Sequence, residues 1–83
     1  MTTIPPYAIA AARVLAGLSQ QELAAAAKVG RVTVQRVENP AMGVESREKS
    51  IADVLAGLGT RGVSIRTDEH GNLILRLAAD HRR

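Results

Sequence analysis

The stretch from Ser19 to Asn39 constrains this chain more than any other, because its residue types specify two short helices and the tight corner between them. Ser19 followed by Glu22 is a capping box: the serine oxygen accepts an N–H of the first turn, and the glutamate accepts from the serine's own N–H. A helix is therefore expected to start at Gln20. Leu23 and Ala27 lie one turn apart on one face, and Ala24 has so little side chain that a second helix can cross closely over it. Val29 is expected to plug the corner. Gly30 is an acceptable N-cap, weaker than serine or threonine, for a second helix whose Val34 and Val37 repeat at helical spacing on the inward side. Arg31, Val32, Gln35 and Arg36 are then left pointing outward.

Those outward residues have a common chemistry. Arginine and glutamine make paired hydrogen bonds to base edges, to guanine and adenine respectively, and an apolar residue such as valine can touch a thymine methyl. Ser19-Gln20-x-Glu22-Leu23-Ala24, then Val29, Thr33, Val34 and Val37-Glu38-Asn39, with Gly17-Leu18 just before them, resemble the phage-repressor and Cro-like helix-turn-helix DNA-binding domains, also called XRE-type. The resemblance runs from about Ala8 to about Leu58. It implies a mainly α, lambda-repressor-like bundle of four or five helices that binds operator DNA, usually as a dimer. Lys28 departs from it, standing where the family usually has glycine. If the corner keeps a left-handed residue there, Lys28 is strained by roughly 1 to 2 kcal/mol. A plain helical hairpin inside another kind of bundle is the alternative. Either half alone would fit that, but both halves together at these offsets argue against it.

Eighty-three residues make one small domain with a modest core, which often gains stability from a partner. With no Phe or Trp and a single Tyr, that core has to be built from Ala, Val, Leu and Ile. The formal net charge is +3, and nine of the eleven basic residues are arginines. Guanidinium groups pair with phosphate in a bidentate way, so the arginine excess leans toward nucleic acid more than the net charge does. The absence of cysteine excludes disulfides, thiolate zinc sites and cysteine nucleophiles, and fits the cytoplasm. The longest nearly apolar run, Ala8 to Leu18, is interrupted by Arg13 and falls short of the about 20 residues that span a bilayer. No basic stretch precedes an apolar segment at the N-terminus, so neither a signal peptide nor a membrane partner is expected.

In chain order, residues 1–6 read as an arm, 7–59 as the helical bundle, 60–79 as a C-terminal β-hairpin and 80–83 as a basic tail. The first helix is expected from about Tyr7 to Ala16, with Ile9, Ala12 and Ala16 on one stripe, Leu15 beside it and Gly17 after its end. Arg13 is its only charge and wants a carboxylate. The family resemblance supplies Glu38 as the candidate, giving an ion pair that clamps the second motif helix to the bundle. Asn39 to Glu45 reads as a loop. Gln20, Thr33, Asn39, Arg47 and Lys49 are the candidate contacts to the DNA backbone. From about Ser46 to Leu58, Ile51, Val54, Leu55 and Leu58 follow the pattern of an amphipathic helix, expected to pack on the first, with Gly57 and Gly59 marking its end.

Val63 to Thr67 and Leu73 to Leu77 alternate with the period of strands. A three-residue loop, Glu69-His70-Gly71, sets Thr67 opposite Leu73, Ile65 opposite Leu75 and Val63 opposite Leu77, which makes one face apolar; a two-residue loop would mix the faces. Ile65, Ile74 and Leu75 are the candidate dimer contacts, with packing inside one subunit as the equal alternative.

Ser19 is accounted for as a cap, and His70 and His81 stand alone in a turn and a tail, so no spacing unites a nucleophile with a base or builds a metal site. No enzyme activity and no cofactor are expected. The expected function is sequence-specific binding of double-stranded DNA by a transcriptional regulator, a repressor by analogy, with the helix from Arg31 to Glu38 in the major groove and a homodimer spanning two half-sites. An antitoxin that represses its own operon, with a toxin partner, and a helix-turn-helix protein-interaction module that does not bind DNA are the alternatives. RNA binding is disfavoured by the lack of stacking aromatics.

Overall fold

The computed structural model describes residues 4–39 and 47–79, with the side chains of residues 47 and 48 excepted. Within them the chain forms α1 (Pro6–Leu15), α2 (Gln20–Ala27), α3 (Arg31–Glu38), α4 (Arg47–Gly59), β1 (Val63–Thr67) and β2 (Leu73–Leu77). It is a helical bundle with a C-terminal hairpin, the class that the sequence pattern implied. The loop expected from Asn39 to Glu45 lies outside the described residues beyond Asn39, as do the first three residues of the arm and the basic tail. No helix among the described residues is long and apolar enough to cross a membrane.

Each helix boundary follows from local chemistry. Pro5 and Pro6 open α1, where a missing N–H costs nothing. At its end Gly17 takes φ 77°, while the N–H of Leu18 reaches back to the Arg13 carbonyl at 3.1 Å and that of Gly17 to Val14 at 2.9 Å. This is a Schellman closure. α2 ends the same way: the N–H of Val29 donates to the Ala24 carbonyl at 3.0 Å and that of Lys28 to Ala25 at 3.3 Å. Here the left-handed residue is Lys28, at φ 60°. The first closure uses the residue with no Cβ, and the second forces a lysine into the same conformation.

The capping box on α2 is complete. The Glu22 N–H donates to Ser19 Oγ at 3.0 Å, and the Ser19 N–H donates to Glu22 Oε1 at 2.8 Å. The backbone N–H of Ser19, seconded by its hydroxyl, holds the Glu22 carboxyl below its ordinary pKa. A group depressed in this way stabilises the fold at neutral pH, and the contribution is lost as pH falls through the carboxylate range.

One core joins all the elements except β2's outer side. Ile9, Leu23, Val34, Val37, Val54, Leu58 and Val63 are almost wholly buried together, each contributing about 1.5 to 3 kcal/mol of hydrophobic burial. Ala24, 4 % exposed, is buried in the same core as Val34 and Val37 of α3. Because Val63 opens β1 inside this core, the hairpin is part of the domain. Val29, Ile51 and Leu55 pack against the core from its margin.

The inward stripe of α1 is the expected one, with Ile9 and Ala12 buried, Ala8 joining them and Ala16 packed against the core, while Leu15 beside it is 41 % exposed. Two expectations for the packing are corrected. α4 packs chiefly on α2 and touches α1 only slightly. Gly57, read as a helix end, is inside α4 and is the reason for this: a Cβ there would meet the Cα and Cβ of Ala27 at 2.7 Å, so only glycine allows the two backbones to come so close.

The hairpin has the register derived from its alternation: Val63 faces Leu77, Ile65 faces Leu75 and Thr67 faces Leu73. Asp68 organises the turn, its carboxylate accepting the N–H groups of His70 at 2.8 Å and Asn72 at 2.9 Å. These bonds, that from Asn72 above all, hold the Asp68 carboxyl below its ordinary pKa, so this turn also loosens in acid. Gly71 closes the loop at φ 83°.

Replacing Lys28 with glycine relieves about 1 to 2 kcal/mol of left-handed strain and returns about 0.5 to 1 kcal/mol through greater freedom of the unfolded chain. Lys28→Gly is therefore expected to raise the thermal midpoint by about 4 °C. A melt followed by circular dichroism checks this, and an unchanged or lower midpoint would show that the strain at Lys28 does not exceed the freedom that glycine returns to the unfolded chain.

Candidate nucleic-acid interface

α3 is amphipathic over its eight residues. Val34 and Val37 are buried, which fixes which way the rest of the helix looks. Arg31, Val32 and Arg36 are exposed, Val32 by 50 %, and Gln35 and Thr33 are half-buried. Arg31 and Gln35 stand one helical turn apart on the same side. Among the described residues neither Arg31 nor Arg36 has an ion-pair partner. Gly30 caps the helix in an extended conformation, its carbonyl accepting from Thr33 at 3.0 Å.

The far end of α3 is held by a network of charge. Arg13 Nε donates to Glu38 Oε2 at 2.7 Å and Arg13 Nη2 to Glu38 Oε1 at 3.2 Å, a bidentate guanidinium–carboxylate pair. The Glu38 side chain is only 6 % exposed and that of Arg13 19 %. The remaining arm of the guanidinium, Nη1, donates to the Leu18 carbonyl at 3.0 Å, just before the Ser19 cap. One arginine on α1 thus ties the end of α3 to the start of α2.

Gln20 belongs to the same network, with Nε2 donating to Glu38 Oε1 at 3.1 Å. Sequence reasoning gave Gln20 only an outward role; its position at the first residue of α2 carried no signal of a bond to a residue eighteen places on. The family resemblance had suggested Arg13 and Glu38, but the Leu18 carbonyl as third acceptor had no signal either.

The other candidates are more dispersed. Asn39 is exposed directly after α3. Arg47 opens α4, but its side chain lies outside the described residues. Lys49 is exposed and donates to Asp53 on its own helix at 3.0 Å, so its charge is partly met within the chain. The i, i+4 spacing of this pair is one that helix geometry brings together. Ile65 and Leu75 lean on the core from the inner side of the hairpin, and Ile74, opposite Arg66, lies on the outer side.

A family model described as "Helix-turn-helix" matches residues 9–39, the span from α1 through the end of α3. No curated protein and no solved structure matches the chain. The matched span holds the capping box, the corner, the outward face of α3 and both members of the Arg13–Glu38 pair; α4 and the hairpin lie beyond it.

The pair is expected to be coupled. Removing one partner from a buried pair leaves an uncompensated charge, so Arg13→Met should destabilise the fold by about 3 kcal/mol. The Arg13→Met, Glu38→Gln double-mutant cycle should return a coupling energy of about 2 kcal/mol in chemical denaturation. Additive effects would mean that the two side chains act independently.

Proposed function

We infer that this chain, whose residues 9–39 match the helix-turn-helix family model and resemble the XRE-type DNA-binding regulators, recognises double-stranded DNA by sequence with α3 lying in the major groove. The observation that supports this is the outward side of α3, where Arg31, Val32 and Arg36 are exposed and Gln35 is half-buried one turn from Arg31, while the inner side is locked by Val34, Val37 and the Glu38 network. Arg31 or Arg36 can pair with O6 and N7 of guanine and Gln35 with N6 and N7 of adenine, each such pairing discriminating by about 1 to 3 kcal/mol. Val32 suits a thymine methyl. A protein adapter has no use for such a set.

In this reading Thr33 and Asn39 flank the reading face and contact the DNA backbone, with Arg47 and Lys49 adding positive charge. Gln20 orients Glu38 through Nε2 and can offer its remaining N–H to a phosphate. Each phosphate neutralised should lower the logarithm of affinity by about 0.9 per decade of salt. One copy of α3 reads only a few base pairs, so two copies on half-sites about 34 to 36 Å apart would supply useful specificity. Such occupancy would regulate transcription, by repression where the site overlaps a promoter.

Selection of bound sites from random duplex DNA tests this reading. The enriched site should be an inverted repeat. Gln35→Ala should change the preferred base at one position per half-site, whereas Asn39→Ala should weaken all duplexes alike. The reverse pattern would mean that the reading face has been misassigned, and failure to enrich any duplex would count against sequence recognition altogether.

A further inference from the structure

The hairpin leaves a row of backbone groups open along its outer strand. Gly62 with Ala78 and Asp68 with Asn72 are hydrogen-bonded pairs at its two ends: the N–H of Ala78 donates to the Gly62 carbonyl at 2.8 Å and that of Asp68 to the Asn72 carbonyl at 3.0 Å. Bonded and open pairs alternate along an antiparallel ladder, so Ser64 with Arg76 and Arg66 with Ile74 are also bonded pairs. Leu73, Leu75 and Leu77 of β2 fall between them and aim their N–H and C=O groups away from β1. Among the described residues none of these groups has a hydrogen-bond partner. β1 packs on both α1 and α4, whereas β2 lies chiefly against β1 with a lighter contact to α1.

The face beside that edge is positive. Side chains alternate along a strand, so Ser64, Arg66, Ile74 and Arg76 point away from the core. Arg66 and Arg76 are exposed diagonal neighbours, about 7 to 8 Å apart at the backbone. Among the described residues neither makes a side-chain hydrogen bond or an ion pair. Asp68 lies within electrostatic reach of Arg66, but its oxygens are taken by the N–H groups of His70 and Asn72 and by the Asn72 amide. Charge beside a free strand edge commonly keeps other strands away. Here it is of one sign and therefore selects. A second copy joined edge to edge would bring four arginines onto one face, whereas a strand carrying carboxylates is drawn to it.

We propose that the free edge of β2 takes up an extended acidic segment of another protein as the third strand of this two-stranded sheet. The backbone of that segment completes the open row at Leu73, Leu75 and Leu77. Its side chains alternate, so apolar residues lie on the inner side beside those leucines, and carboxylates opposite Ile74 and Arg76 meet the two guanidinium groups. The hairpin lies beyond the family-matched residues and packs on α1 and α4, so this surface is separate from the outward side of α3 and goes beyond the DNA reading. Five residues of strand extend about 17 Å, a short contact, so the complex should be weak and exchangeable.

Fluorescence polarisation of the full chain, without DNA, tests this with a labelled peptide of alternating valine and glutamate matched to β2 in length. A version with lysine for glutamate and a version N-methylated at the valines, whose N–H groups face the edge, separate charge from strand pairing. The glutamate peptide should bind the wild type and slow amide exchange at Leu73, Leu75 and Leu77. The other two peptides should bind about tenfold or more weakly. Arg66→Glu with Arg76→Glu should reverse the preference between glutamate and lysine while keeping the wild-type melting curve, since both side chains are exposed. No binding of the glutamate peptide overturns the proposal and leaves the DNA reading untouched. Equal binding of the N-methylated peptide, or unchanged exchange at the three leucines, also overturns it, leaving a charged patch that pairs with no strand. Duplex affinity that falls as far in Arg66→Gln with Arg76→Gln as in Arg31→Gln with Arg36→Gln, which remove the same charge, would assign the face to DNA instead.

Discussion

A carboxylate almost closed off from water has to be answered by donors, and in this domain the three that answer Glu38 come from two other helices. Arg13 supplies two and Gln20 the third, so the last residue of α3 is fixed against α1 and the first turn of α2 at once. Leaving that carboxylate buried without its partner would cost about 3 to 5 kcal/mol. The net gain over an apolar replacement is small by the same physics, because both charges lose hydration. What the network adds is direction. A hydrophobic contact would hold α3 against the bundle at many rotations, whereas a bidentate guanidinium fork accepts one.

The remainder of the fold is arranged so that this direction is kept. Ala24 is buried in the core that α2 shares with α3, and Gly57 lets the backbone of α4 come close to that of α2 at Ala27. Val63 carries the core into the hairpin, whose apolar side closes the bundle beyond the family-matched residues. The corner between α2 and α3 depends on a left-handed Lys28, a local strain accepted because Val29 and the two Schellman bonds hold the chain there. Bundle and corner together leave α3 with Val34 and Val37 buried and Arg31, Val32 and Arg36 exposed.

Much of this could be read from the residues because it is encoded locally. The capping box, the apolar repeat of Val34 and Val37, and the strand alternation each involve neighbours within a turn or a pleat, and the hairpin register follows from demanding that one face be apolar. The pairing of Arg13 with Glu38 spans twenty-five residues and was legible only through the family pattern. What escaped has no local signal. Gly57 looks like a helix terminator until the backbone of Ala27 is beside it, and only that approach decides that α4 packs on α2 rather than on α1. Gln20 could be assigned to solvent or to Glu38 only once the end of α3 was located.

The account turns on one surface entering one groove, and dimethyl sulfate reports grooves separately, since guanine N7 lies in the major groove and adenine N3 in the minor groove. Protection should be measured on a duplex enriched by selection, with the full chain bound. The account predicts protection of guanine N7 within each half-site, lost at individual guanines in Arg31→Ala or Arg36→Ala. Protection confined to adenine N3, or a guanine pattern that both substitutions leave unchanged, would contradict it.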